Sequence, residues 1–146
     1  MNFMCNDNDC RCIADILKTI NILQNNAECG DSCLDTCDRG FLGCSATTLL
    51  CNTRPIMLYT CSGNGTPWSM PTTKEDVTCG DEGVTCSNVF RVEKIDGCCC
   101  TFRVLTTNPD PTETNIPYVA TNSFFTMNLN CCCAIRCLND TYVECI

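Results

Sequence analysis

The chain contains no histidine. That absence removes the commonest general base, the usual partner of a nucleophilic cysteine, and the nitrogen ligand of mixed zinc sites. Gly-x-Ser-x-Gly elbows, phosphate-binding glycine loops and any Cys-x-x-Cys with a helix behind it are also missing, so hydrolase and dithiol-redox chemistry have no motif to stand on. No stretch approaches the roughly 18 consecutive apolar residues of a membrane span. The opening residues Met1 to Asp7 lack a basic start and a long apolar run, so no secretion signal is read. Positive charge is scarce: 9 Lys and Arg against 17 Asp and Glu leave a net charge of −8, which opposes binding to nucleic acid or anionic lipid. These absences point to a protein that is not an enzyme and has no cofactor, nucleic-acid partner or membrane span.

Cysteine is what the chain has in excess: 19 of 146 residues, well above the roughly 8–10% that marks a disulfide scaffold. Such scaffolds are usually shorter chains with too little core. This one is long enough to bury roughly 70% of its unfolded surface, and its Ile, Leu, Val and Phe fall in ordered runs. The cysteines therefore exceed what folding requires. Their odd number leaves at least one thiol free, metal-bound or paired with another chain. A cytosolic start combined with the composition of an oxidising compartment is the contradiction a functional reading has to resolve.

Residues 1–11 read as a flexible arm carrying Cys5 and Cys10, with Cys12 at its junction. Residues 12–146 read as one β-rich domain that opens with a helix over about 12–26. Ile13, Ile16, Leu17, Ile20 and Leu23 or Gln24 recur at helical spacing, and Asp9 is a candidate N-cap. This stripe is expected to pack on a sheet or on a neighbouring subunit. Cys29, Cys33, Cys37 and Cys44 fall in a Gly/Asp/Ser-rich loop. Strand-like segments follow at Thr48–Asn52, Pro55–Cys61, Val84–Ile95, Cys98–Thr106, Tyr118–Ala120 and Phe124–Asn130. Asp96-Gly97 fits a tight primed turn. Over 124–130, Phe125, Met127 and Leu129 share one face while Phe124, Thr126 and Asn128 share the other. The predicted fold is mainly β, a single antiparallel sandwich or small barrel with one N-terminal amphipathic helix.

Two triplets, Cys98-Cys99-Cys100 and Cys131-Cys132-Cys133, concentrate the thiols. Side chains alternate along a strand, so Cys98 and Cys100 share one face while Cys99 points away. Neighbouring cysteines rarely bond each other, because a disulfide needs its Cα atoms about 4.4–6.8 Å apart in a suitable direction. Thiolate metal binding is the alternative, through the Cys-x-Cys pairs at 10/12, 98/100 and 131/133, although no pair of zinc knuckles occurs at ribbon spacing. Arg54, Arg91, Arg103 and Arg136 lie among apolar strand residues, either paired with Glu93 and other acids or simply facing solvent. The acidic residues of 74–82 read as a solvated loop.

The segments Asn52-Thr53-Arg54-Pro55 through Thr60, Phe90-Arg91-Val92-Glu93 through Leu105, and Asn128-Leu129-Asn130-Cys131 through Leu138 resemble the CotY/CotZ/ExsY spore coat and exosporium proteins. Cys12 to Gln24 and Cys37 … Phe41-Leu42-Gly43 fit the same family in order. The resemblance implies a self-assembling, disulfide cross-linked surface protein, made in the mother-cell cytoplasm without a signal and oxidised on the spore. It departs from that family at Cys132, where relatives tend to carry an aromatic, which suggests an additional cross-link. The expected partners are copies of itself in a closed ring, a hexamer being one candidate, extended into a lattice, together with other coat or exosporium proteins. A fibre subunit or a metal store are the competing readings. Cys5, Cys10, Cys12, Cys98, Cys99, Cys131, Cys132 and Cys133 are the expected intermolecular thiols. Cys29, Cys33, Cys37, Cys44, Cys51, Cys61, Cys79, Cys86, Cys100, Cys137 and Cys145 are expected to pair within the chain or to be buried.

Overall fold

A computed structural model of the chain describes residues 10–26, 51–110, 112, 116–144 and 146. Helix α1 (Arg11–Asn25) is followed by strands β1 (Ile56–Thr60), β2 (Met70–Pro71), β3 (Cys86–Ser87), β4 (Val89–Asp96), β5 (Cys99–Thr107), β6 (Tyr118–Asn128) and β7 (Cys132–Cys137), with a single 3-10 turn at Leu129–Cys131 before β7. Five strands form one antiparallel sheet in the order β6-β5-β4-β1-β7, and β2 pairs with β3 in a separate two-stranded sheet. The mainly-β class with one N-terminal helix holds. The five-stranded sheet does not close into a barrel, and among the described residues a helix packs on it and the other sheet is a short two-stranded ribbon.

Period-2 alternation on β5 organises the core. Cys100, Phe102 and Val104 are buried on one face, where Phe90, Val92, Ile56, Leu58, Met127 and Leu129 join them. The rings of Phe90, Phe102 and Phe125 meet there with centroids 4.9–6.3 Å apart, within the favourable range for aromatic pairs. The helix lays Ala14, Leu17 and Ile20 on this face, so its stripe packs within the chain. Asp9 lies outside the described residues, and the residue that caps the helix is Cys10.

The β4–β5 turn is one residue later than expected. Asp96 pairs with Cys99, leaving Gly97 and Cys98 as the two central residues. Gly97 has φ +59°, a conformation that glycine adopts without penalty. Strand β6 fuses two expected strands, 118–120 and 124–130, because an irregularity opposite Arg103–Leu105 absorbs the extra residues between them. Thr121 Oγ donates to the Val104 carbonyl at 2.7 Å and satisfies the ladder there. Cys51 and Asn52, expected to end a strand, are not in one. Asn52 instead makes two side-chain bonds to the Val143 backbone, and Thr53 bridges to Thr141.

At the join of β1 and β4 the only register partners are Ile56 and Phe90. Beside them Gln24 reaches in from the end of the helix. Its Nε2 donates to the Val92 carbonyl at 2.8 Å, and its Oε1 accepts from the Arg54 amide at 3.1 Å. A buried amide side chain thus takes the place of a ladder bond and ties helix, β1 and β4 together. Arg54 runs its guanidinium to Asp140 as a bidentate pair at 2.7 and 2.8 Å, both side chains 2% exposed.

Candidate functional site

Cys10, Cys12, Cys61 and the two triplets collect at one corner of the sheet, where the β4–β5 turn, the 3-10 turn, the end of β1 and the start of the helix meet. The Leu129 amide donates to the Cys98 carbonyl at 2.7 Å, and the Cys61 amide to the Cys131 carbonyl at 3.2 Å. Two disulfides fasten the same corner. Cys10 bonds Cys98 with Cα atoms 5.8 Å apart, and Cys61 bonds Cys133 at 5.2 Å. With sequence separations of 88 and 72, each closes a loop that the chain-entropy relation values at about 4–5 kcal/mol. A third, Cys79–Cys86, staples the acidic loop across 7 residues.

Of the thiols expected to be intermolecular, three are paired within the chain in this structure and a fourth is buried. Cys10, Cys98 and Cys133 are consumed within the chain. Cys10 lies on the buried face of the helix in series with Ala14 and Leu17, a spacing already visible in the sequence, and it points at the turn that carries Cys98. Cys133 opposes Cys61 because β7 pairs with β1. Cys132 is buried rather than outward, opposite Thr60 and in the core cluster.

Each triplet therefore splits three ways. In the first, Cys98 is bonded, Cys99 is exposed and Cys100 is buried; in the second, Cys131 is exposed, Cys132 is buried and Cys133 is bonded. Burial, reinforced by the nearby Cys132, pushes the Cys100 thiol up to about 12. Burial raises Cys132 as well, against opposing hydrogen bonds from the Tyr59 and Ala134 backbone. Both are inert thiols inside an apolar environment. Cys12, Cys99 and Cys131 remain exposed and unpaired around the corner. Cys51 is buried and Cys137 is disulfide-bonded. Cys5, Cys29, Cys33, Cys37, Cys44 and Cys145 lie outside the described residues. Among the described residues no group of three or more His, Cys, Asp or Glu is placed to hold a metal ion, and no helix is long and apolar enough to cross a membrane.

The opposite face of the sheet carries charge. Arg91 and Arg103 stand directly opposite each other on β4 and β5, and both approach one oxygen of Glu93, at 2.8 and 3.3 Å. Arg91 also donates to the Thr53 hydroxyl and the Asn52 carbonyl. At one end of this face Val89 and Leu105 are covered by Val143 and Leu138.

A scan of family models matches residues 1–140 to spore coat protein Z. The chain belongs to the spore coat protein Z family. Searches of curated proteins and of solved structures return no match. Membership in this family supports a structural role in the spore coat, with which the disulfides are compatible.

Proposed function

We propose that this spore coat protein is a non-catalytic building block that assembles with copies of itself into a disulfide cross-linked two-dimensional layer at the spore surface. Non-covalent contacts place subunits in a closed ring, and symmetric contacts between rings extend the lattice. The observation that carries this reading is the set of exposed thiols Cys12, Cys99 and Cys131 around a corner whose own fold is already stapled. The staples make the corner rigid, and the exposed thiols give it valence toward neighbours. Cys5, outside the described residues, is assigned to the same role. Each intermolecular bond adds on the order of 2–4 kcal/mol, and a multiply linked network dissociates negligibly slowly. Synthesis in a reducing cytoplasm followed by oxidation on the spore fits the cysteine-rich composition, and other coat or exosporium proteins bearing accessible thiols are natural partners.

Electron microscopy of recombinant protein with and without reductant tests the proposal. Ordered sheets or rings that become resistant to dissociation on oxidation support it. Soluble monomers in both conditions refute it, and several zinc or copper ions per purified chain would replace it with a thiolate store.

A further inference from the structure

Arg103 is the residue of the charged face whose chemistry is incomplete. Its side chain is 20% exposed, and its guanidinium sits 4.5 Å over the Phe124 ring. Yet Nε is buried without a hydrogen bond, and its approach to Glu93 at 3.3 Å is an ion-pair contact only. The Glu93 oxygen that it approaches already accepts from Arg91 at 2.8 Å. A guanidinium carries five donors and is normally matched by a planar acceptor when it is withdrawn from water. Exposed Lys94 lies opposite Thr101 in the same strand pair. The face therefore gathers Arg91, Arg103 and Lys94 around Glu93, with Asp96 farther along it opposite Cys99, a small local excess of positive charge on a chain of net charge −8. Beside it Phe124 is 46% exposed.

The same chain carries the complement. Between β2 and β3, Lys74 is outnumbered by Glu75, Asp76, Asp81 and Glu82, and Val77 among them is 85% exposed. Asp76 is occupied by the Thr73 hydroxyl. Glu75, Asp81 and Glu82 are exposed, and none of them forms an ion pair among the described residues. The Cys79–Cys86 disulfide holds the loop, so little ordering entropy would be lost on docking. The loop's base is tied to the core side of β6, where Ser123 Oγ donates to the Pro71 carbonyl at 2.8 Å. Phe124, the next residue along the strand, turns to the other face. Loop and patch thus occupy different sides of one subunit, the arrangement that a head-to-tail contact requires.

Building on the assembly reading above, we infer that the Arg103–Phe124 patch receives the stapled acidic loop 74–82 of a second copy, with a loop carboxylate meeting the solvent-facing end of the Arg103 guanidinium and Val77 covering Phe124. The contact forms before any disulfide and sets subunit polarity. Charge reversal tests it under reducing conditions, with oligomer formation followed by analytical ultracentrifugation as protein concentration is raised. Glu75→Lys with Asp81→Lys and Glu82→Lys alters only exposed loop side chains. It is expected to raise the concentration needed for assembly about tenfold or more, the scale of losing a desolvated charge pair. Arg103→Glu should do the same, and combining it with the loop reversal should restore assembly. Loop variants that assemble at the wild-type concentration, or a combined variant that stays monomeric although folded, would overturn this contact while leaving the assembly reading intact. Wild-type protein that never assembles would overturn both.

Discussion

Replacing Gln24 should unfold the join between the helix and the sheet. Its amide satisfies two buried backbone groups at once, the Val92 carbonyl at 2.8 Å and the Arg54 amide at 3.1 Å. Gln24→Met keeps the length and volume but removes both bonds. Each backbone group left buried and unsatisfied costs about 1–3 kcal/mol, so the pair costs about 2–6 kcal/mol, and Gln24→Ala adds a cavity to that. For a chain of this size, each kcal/mol corresponds to roughly 2–4 °C in Tm. A destabilisation of about 4 kcal/mol therefore lowers Tm by roughly 8–16 °C. Urea unfolding of the disulfide-intact protein measures the loss, and hydrogen exchange at the Arg54 amide locates it. A Gln24→Met protein within about 0.5 kcal/mol of wild type, with Arg54 still protected, would refute the claim that this side chain replaces a ladder bond, since a polar-group mechanism predicts at least about 2 kcal/mol.

Other outcomes follow from the same geometry. Asp140→Ala should cost about 3–5 kcal/mol, because it removes the bidentate carboxylate from the Arg54 guanidinium at a site 2% exposed; a urea midpoint within error of wild type would contradict this. Brief alkylation of the native protein at pH 8 should label Cys12, Cys99 and Cys131 and spare Cys100, whose thiol is held near 12 against an ordinary 9.0, about a thousandfold less thiolate even before access is considered; peptide mass spectrometry reads the pattern. Because burial raises the Cys100 value in the folded state, its contribution to stability is intact below about pH 9 and is lost as pH climbs toward 12. Cys100→Ala should flatten that alkaline decline in a pH series of melts. Combined Cys5→Ser, Cys12→Ser, Cys99→Ser and Cys131→Ser should leave the monomer's melting unchanged while oxidised assemblies dissolve in detergent without reductant. Persistence of covalent multimers would assign the cross-links elsewhere.

Sequence periodicity revealed the elements whose residues alternate cleanly. The helix, β4, β5 and the Phe125/Met127/Leu129 face are legible because one side of each is apolar and the other is not. The turn slipped by one residue because glycine's positive φ can serve either central position, and sequence does not say which. Cys132 was read as a further cross-link from its departure from the family pattern, whereas the 3-10 turn at Leu129–Cys131 breaks the alternation between β6 and β7 and turns it into the core. The pairing of Cys10 with Cys98 depends on where the helix start meets the hairpin, a tertiary fact; the register of Cys10 with Ala14 and Leu17 was a signal for its inward side that reading residues 1–11 as an arm passed over. Arg91 and Arg103 were balanced between pairing and solvent. Only their cross-strand register, with Glu93 shared between them, decides for pairing.

The staples at the cysteine corner also define how a mechanical load would travel. A neighbour pulling on Cys99 grips the tip of the β4–β5 hairpin, the point from which an antiparallel pair unzips most easily, one ladder bond at a time. The adjacent residue, Cys98, is bonded to Cys10 at the head of the helix, so tension passes into the helix and the core beneath it before the ladder opens. Tension at Cys131 is diverted likewise through Cys133 and Cys61 into β1. Covalent anchors beside the grip points shift the load from peeling to shear, the direction in which a sheet resists as a unit.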